Sequence, residues 1–235
     1  MTMAEARDRK SDSQRAFFGR RKGHALKPRQ AALFGTLLPR VALDLAGPAP
    51  ADLRALFEGV DRIRLEIGFG GAEHLIDQAQ ANPRTGFIGS DAFVNGVAKA
   101  LAAIEAHKLQ NIRLHHGDAS ELLDWLPAAA LSRIDLLYPD PWPKRRHWKR
   151  RFIQDESLQR LARILEAGGD LRFATDIPDY AAYVLARVLR SQDLVWTAEA
   201  AGDWRKPWAG FPGTRYEAKA KREGRVPAYF IFRRI

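Results

Sequence analysis

One carboxylate between two prolines is the side chain of this sequence best placed to do chemistry. Asp140 lies between Pro139 and Pro141, in the run YPDPWPK at 138–144. Each proline fixes its own φ angle and lacks a backbone N–H, so neither a strand nor a helix continues through this run. The run therefore predicts a stiff loop that holds the carboxylate at the end of the apolar strand 134–138.

A cationic and aromatic run follows that carboxylate. Residues 144–151 hold six Lys and Arg side chains, and Trp142 and Trp148 are interspersed with them. Cationic side chains bind phosphates, and aromatic rings stack on unpaired bases. A basic run is often only a solvated face, but this one adjoins a buried strand and a proline loop. We interpret 138–151 as one extended loop that forms a reaction centre for a polyanion.

The net charge supports a nucleic-acid partner. The 235 residues include 38 Lys and Arg against 28 Asp and Glu, which leaves a formal charge of +10. The excess is concentrated in 7–29, 144–151 and 215–234. Three basic segments that lie close together in a folded protein would form the positively charged surface typical of a nucleic-acid binder. A membrane surface is a weaker interpretation, because none of them lies on a strongly amphipathic helix.

Several classes of site are not expected. The chain has no cysteine, which excludes disulfides and thiolate metal sites. It has neither an apolar run long enough to cross a bilayer nor the apolar segment of a secretory signal. The histidines at 74, 115 and 116 lack metal-site spacings such as HExxH. We expect a cytoplasmic protein without a bound metal.

The hydrophobic pattern from residue 63 onward alternates between strands and helices. It predicts strands at 63–67, 85–89, 111–115, 134–138 and 170–174, and helices at 72–81, 97–107, 152–165 and from Pro178, with Gly168 and Gly169 ending the third helix. A strand, a glycine turn and a helix form the first unit of a doubly wound α/β sheet. We expect one domain over 31–235, preceded by a basic, partly disordered arm over 1–30.

Five carboxylates stand at or just past the ends of successive predicted strands: Glu66, Asp91, Asp118, Asp140 and Asp176. Ligands of open α/β sheets bind at this edge. Any one of these acids could be only a helix cap. The presence of an acid at the end of each of five successive strands indicates a ligand site.

The glycine turn at 68–71 fits two cofactors. A glycine turn with an acid some twenty residues later is typical of nicotinamide-binding Rossmann domains. Glu66, however, would repel a pyrophosphate at the following helix, whereas it could meet a cationic amino acid end. A long loop, not a clear crossover helix, separates the last two predicted strands, 194–198 and 229–232. That favours the antiparallel terminal hairpin of class I methyltransferases and S-adenosylmethionine as cofactor.

With these motifs in order, the sequence resembles the bacterial tRNA (guanine-N7-)-methyltransferases. The matching motifs are LEIGFGGAEHL at 65–75, FIGSD at 87–91, GDA at 117–119, YPDPWPKRRHWKRR at 138–151, RFATD at 172–176 and TRYEAKAKREG at 214–224. The resemblance implies a Rossmann-like class I methyltransferase sheet, mostly parallel with an antiparallel C-terminal hairpin. It also implies methyl transfer from S-adenosylmethionine to N7 of a guanosine in tRNA, at position 46 of the variable loop.

The resemblance further implies roles for individual residues. Cofactor contacts are implied at Glu66, Gly68, Gly70, Asp91, Asp118 and Asp140, with Asp140 also catalytic. Substrate contacts are implied at Lys144, Asp176, Thr214, Arg215, Tyr216 and Glu217. RNA contacts are implied at Arg146, His147, Trp148, Lys149, Arg150 and Arg151. Asp91 stands where the family usually has Glu, so its side chain is one methylene shorter.

Guanine N7 already carries an in-plane lone pair, so the reaction needs no general base. The protein's task is alignment and electrostatic stabilisation. Asp176 or Glu217 could accept hydrogen bonds from the guanine N1 and N2 hydrogens, and Trp142, Trp148 or Tyr216 could stack on the base. Two alternatives stay open at this point: an NAD(P)-dependent oxidoreductase and a non-catalytic RNA-binding module.

Overall fold

A computed structural model describes residue 19 and residues 21–235 of the protein. Most of the arm predicted at 1–30 therefore lies outside the described residues. The described chain forms a seven-stranded sheet with the order β3-β2-β1-β4-β5-β7-β6. The strands are β1 (Arg62–Ile67), β2 (Thr85–Ser90), β3 (Ile112–His115), β4 (Leu131–Leu137), β5 (Leu165–Thr175), β6 (Leu194–Trp196) and β7 (Ala228–Arg234). Strands β1 to β5 pair in parallel, and β7 is antiparallel to both neighbours. This confirms the predicted sheet and its terminal hairpin.

Helices flank the sheet on both faces. They are α1 (Pro28–Thr36), α2 (Leu38–Val41), α3 (Glu73–Ala81), α4 (Val94–His107), α5 (Ala119–Trp125), α6 (Asp155–Ile164), α7 (Pro178–Val188) and α8 (Arg215–Arg222), with 3-10 helices at Leu53–Leu56 and Arg145–Arg150. No helix in this described part of the chain combines the length and apolar character of a membrane span.

Two apolar cores hold the layers together. One core packs β1, β4, β5 and β7 against α5, α6 and α7, and the other packs β2 and β3 against α1, α3 and α4. Leu65 and Leu161 are fully buried in the first core, and Val97 and Ile112 in the second. Full burial of such a side chain contributes ~1.5–3 kcal/mol. This packing fixes the strand ends that carry the acids.

Two of the predicted boundaries are wrong. The helix predicted at 152–165 spans Asp155–Ile164, and the pair Gly168 and Gly169 lies inside β5 and does not end a helix. The β4–β5 register shifts between Leu131 and Arg133, and Gly168 has a φ of 78°. Gly168 therefore lies at an irregularity of the strand, where the backbone needs a left-handed conformation.

The long loop predicted between the last two strands contains helix α8. Only Glu217 and Ala220 of this helix are buried, so its sequence shows little apolar periodicity. Thr214 caps the helix, because its side chain accepts a hydrogen bond from the backbone N–H of Glu217. The antiparallel hairpin remains correct, although the connection is partly helical.

Candidate active site

A cavity of about 650 Å³ opens at the carboxyl ends of β1, β2 and β4. Its wall includes Gly68, Gly70, Asp91, Asp118, Asp140, Trp142, Lys149, Arg150, Arg151, Arg215 and Tyr216. The structure thus brings together most of the predicted cofactor residues with part of the predicted RNA and substrate sets. Glu66, Lys144, Arg146, His147, Trp148, Asp176, Thr214 and Glu217 are not part of this wall.

The glycine turn after β1 is held by Asp91. Gly68 and Gly70 have φ angles of 71° and 56°, a region in which glycine carries no steric cost. One oxygen of Asp91 accepts a hydrogen bond from the Gly70 N–H at 2.7 Å, and the other accepts from the Phe93 N–H at 2.8 Å. Burial raises the pKa of Asp91, although both hydrogen bonds oppose the shift. Asp91 therefore shapes the cavity edge as well as lining it.

Gly96, in the first turn of α4, lies against the same turn. A Cβ atom on Gly96 would lie 2.3 Å from the backbone oxygen of Gly70. We predict that Gly96→Ala lowers the free energy of unfolding by ~1–3 kcal/mol, because backbone must move to relieve the overlap. Urea unfolding measures this change. Gly35→Ala in α1 is the matched control, since its Cβ meets nothing within 4 Å, and it should be neutral or stabilising. Equal stability of both variants would contradict the prediction.

Glu66 lies behind the cavity wall and is paired. Its Oε2 is 2.7 Å from Nδ1 of His74, and both side chains are buried. Burial acts to lower the pKa of His74, but the adjacent Glu66 carboxylate outweighs it and raises that pKa. Burial also raises the pKa of the Glu66 carboxyl, and the hydrogen bond between the two groups fixes both side chains behind the glycine turn. His74 follows Glu66 by eight residues, and only the fold shows that they meet.

Asp118 has two roles in the geometry. Its side chain accepts a hydrogen bond from the Ser120 N–H at 2.9 Å and caps α5, and it also lines the cavity. Ser90, which was not predicted as a site residue, also lines the cavity. The Oγ of Ser90 is buried and has no hydrogen-bond partner in the described chain, so it is available to a polar group of a ligand.

The proline loop after β4 is strained on both sides of Asp140. Tyr138 and Trp142 have φ angles of 52° and 42°, which cost non-glycine residues of the order of 1–3 kcal/mol each. Asp140 stands exposed at the cavity mouth. The surrounding walls nevertheless remove enough water to raise its pKa above the usual range. The loop thus presents a carboxylate whose charge is weakly solvated.

The sequence predicts an extended basic run, but Arg145–Arg150 forms a 3-10 helix. Lys144, Arg146 and Lys149 are exposed on it. The guanidinium of Arg150 lies 5.1 Å from the ring centre of Trp142, and His147 contacts the same ring edge-on. Trp142 is therefore a half-exposed wall of the cavity and not a core residue.

Arg151 corrects the predicted RNA contacts. Its side chain has an exposed fraction of 0%, so it offers nothing to a phosphate. The guanidinium instead lies among the rings of Trp148, Tyr180 and Tyr183, at 4.5, 4.8 and 4.6 Å from their centres. Arg151 is therefore buried, unlike the exposed Lys144, Arg146 and Lys149, and Trp148 is one of the rings that enclose it.

The predicted substrate residues divide into two groups. Arg215 and Tyr216, at the start of α8, line the cavity, and Tyr216 is 48% exposed. Glu217 is buried and accepts hydrogen bonds from the hydroxyl of Tyr229 and from Lys221, each at 2.5 Å.

The other acid predicted to contact the substrate is also engaged within the protein. Asp176 forms an ion pair with Arg225 at 2.5 Å, and Arg225 also pairs with Glu223. These contacts anchor the two ends of α8. They leave Arg215 and Tyr216, not Asp176 or Glu217, facing the cavity.

Comparisons with known proteins bear on this site. Residues 61–229 match a family model described as "Putative methyltransferase". A tRNA (guanine-N(7)-)-methyltransferase of Rhodopseudomonas palustris (strain BisA53) is 58% identical over 97% of this chain and 91% of its own length. The enzyme of that name from Rhizobium meliloti (strain 1021) is 60% identical over 93% of this chain and 95% of its own length. The chain belongs to the bacterial tRNA (guanine-N7-)-methyltransferase family. Membership of this family excludes the alternative of an NAD(P)-dependent oxidoreductase.

Solved structures agree with the fold of this family member. The aminoglycoside resistance methyltransferase NpmB1 superposes with a TM-score of 0.50 at 20% identity, covering 78% of this chain and 92% of its own. TrmN from Thermus thermophilus gives a TM-score of 0.53 at 17% identity, covering 78% of this chain and 47% of its own. At these identities the likeness concerns the fold alone.

Proposed function

We propose that this protein transfers the methyl group of S-adenosylmethionine to N7 of a guanosine in the variable loop of tRNA. The observation that carries the proposal is the position of Asp140. It stands at the mouth of the cavity, between the acids of the strand ends and the exposed cations of the 3-10 helix. The reaction centre and the RNA-facing surface therefore meet at one carboxylate.

The cavity fits the cofactor. Its volume is within the range of cofactor pockets, and the left-handed glycines of the turn let a ligand approach the backbone closely. Asp91, Asp118 and the unpartnered Oγ of Ser90 supply acceptors and a hydroxyl for its polar groups. Glu66 is held behind the glycine turn by its hydrogen bond with His74. S-adenosylmethionine bound here supplies an electrophilic methyl group.

The residues of the chain contribute alignment and charge. The proline loop holds Asp140 rigidly, so its carboxylate needs no reorganisation when positive charge develops on the purine. Arg215 and Tyr216 close the opposite wall and contact the guanosine, while Thr214, Glu217 and Asp176 hold α8 in place. Fixing the acceptor nitrogen in line with the methyl group lowers the barrier by up to ~7–11 kcal/mol in well-oriented systems.

The RNA backbone is bound by the exposed cations. Lys144, Arg146 and Lys149 project from one short segment beside the cavity mouth, and their charges attract phosphates. Trp142 and Tyr216 offer half-exposed rings on which an unstacked base can lie. A tRNA substrate also supports a cytoplasmic location for the reaction.

Transfer of labelled methyl from S-adenosylmethionine to an unmodified tRNA transcript tests the proposal. Borohydride and aniline treatment then cleaves the chain at 7-methylguanosine. We expect label in the RNA and a single cut in the variable loop. Label without a cut would show a different acceptor atom. RNA binding without label would support the non-catalytic alternative.

A further inference from the structure

The backbone of the proline loop has very few tethers. Pro139, Pro141 and Pro143 lack N–H groups, and the loop is bounded by the left-handed residues Tyr138 and Trp142. Within the described part of the chain, the backbone of residues 139–143 takes part in one hydrogen bond, from Nε of Arg151 to the oxygen of Pro141 at 2.8 Å. That oxygen lies between Asp140 and Trp142 in sequence. Strain of this kind persists only where the surroundings enforce it.

Arg151 is built into the protein as a rigid support. Three aromatic rings enclose its guanidinium, and its Nη2 pairs with Asp179 in the first turn of α7. The side-chain amide of Gln154 donates to the backbone oxygens of Trp148 and Arg151. The hydroxyl of Tyr183 in turn donates to Gln154 at 2.8 Å. Every contact that fixes Arg151 thus comes from its own turn or from α7.

We propose that Arg151 is a positioning residue, which holds Asp140 and Trp142 in the reactive arrangement through the Pro141 oxygen and does not contact RNA. The inference rests on the proposed function, since it concerns the alignment of the same reaction centre. The proposal gives neighbouring cations different roles. Arg146 and Lys149 face solvent, whereas Arg151 is buried and contacts the inner side of the proline loop.

The side chain has to be an arginine for this role. A planar guanidinium can stack on rings and donate along two directions in its plane, here to Pro141 and to Asp179. A lysine ammonium keeps the charge but lacks the plane and the fixed fork of donors. Arg151→Lys therefore removes the positioning while it preserves the net charge, which separates the two roles.

Steady-state kinetics of Arg151→Lys test the proposal. We expect kcat at saturating tRNA and cofactor to fall about 10- to 50-fold, because small displacements of reacting groups are costly. We expect KM for tRNA and the Kd values of both substrates to stay within about threefold. Arg62→Lys, at an exposed position at the start of β1 and at the edge of the sheet opposite the cavity, is the control and should keep kcat. A rise in KM or Kd for tRNA with unchanged kcat would overturn the proposal.

Guanidinium rescue provides a second test. In Arg151→Ala, low-millimolar guanidinium chloride should restore part of kcat by entering the vacated aromatic cage, whereas sodium chloride at the same ionic strength should not. A folded Arg151→Ala protein without rescue would contradict the role, and if this variant does not fold, Arg151→Lys decides. Amide exchange of a peptide spanning 138–150 should accelerate in Arg151→Lys. That readout is independent of catalysis, so an inactive wild-type protein would refute the proposed function without obscuring the positioning.

Discussion

Replacement of Asp140 by asparagine should lower kcat about 100- to 1000-fold, the range seen when one preorganised electrostatic group is removed. Asparagine keeps the size of the side chain and removes its charge. The transferred methyl group brings positive charge onto the purine, and in the proposed mechanism the Asp140 carboxylate at the cavity mouth stabilises that charge. The cavity walls partly shield this carboxylate from water, which raises its pKa, and reduced screening strengthens its field on the reacting atoms.

The loss should not come from unfolding. Because burial makes the ionised form of Asp140 unfavourable, removal of the charge should leave the melting temperature at neutral pH unchanged or slightly higher. Asp44→Asn, an exposed acid that accepts a bond from the Ala46 N–H, is the matched control and should keep full activity. Single-turnover methyl transfer measures the chemical step. An Asp140→Asn protein with wild-type turnover would remove the basis of this assignment.

The same carboxylate predicts a pH dependence. The pKa of Asp140 is raised by burial, so the carboxylate is protonated at a higher pH than an ordinary aspartate, whose pKa is ~3.9. Activity should therefore be full above the raised pKa and decline as the pH falls through it. The residual activity of Asp140→Asn should lack this acidic limb. If both proteins lost activity over the same acidic pH range, a group other than Asp140 would be responsible for the pH dependence.

Local sequence signals predicted the reaction loop and the strand ends well. Prolines act on their own backbone, so the interruption after β4 is evident from residues 138–144 alone. The alternation of apolar residues over 63–67 similarly predicted β1. Helix α8 escaped prediction because its sequence is mostly charged and only Glu217 and Ala220 are buried. The hydrogen bond from Tyr229 that holds Glu217 forms only in the fold.

Residue roles that depend on distant partners could not be predicted. Arg151 belongs to a basic run in sequence, and only the rings of α7, about thirty residues later, show that it is buried. The pairing of Asp176 with Arg225 spans 49 positions. In both cases the residue type indicated a charge near the substrate, while the structure shows a partner that already satisfies it.

The second large effect concerns Arg146 and Lys149, the exposed cations of the 3-10 helix. Hydrogen bonds to charged groups contribute ~1.5–3 kcal/mol each, so replacing both by alanine should weaken tRNA binding roughly 100-fold or more at low salt. Binding titrations over a range of salt concentrations measure this effect. Lys108, which follows the C-terminal end of α4, and Arg62, at the start of β1, lie at the edge of the sheet opposite the cavity and form the matched control pair. Replacing them removes the same charge and should change the affinity little.

The salt dependence distinguishes phosphate contacts from a general loss of charge. Each phosphate contact contributes about 0.7 to 0.9 to the slope of log K against log salt, so the Arg146 and Lys149 variant should have a slope smaller by about 1.4 to 1.8. The control variant loses the same two positive charges as the Arg146 and Lys149 variant, but it should keep the wild-type slope. Because neither cation touches Asp140 or the Pro141 oxygen, kcat at saturating tRNA should remain near the wild-type value. Lower affinity with an unchanged slope would mean that these side chains do not contact phosphates, and it would move the RNA-binding surface to another face of the protein.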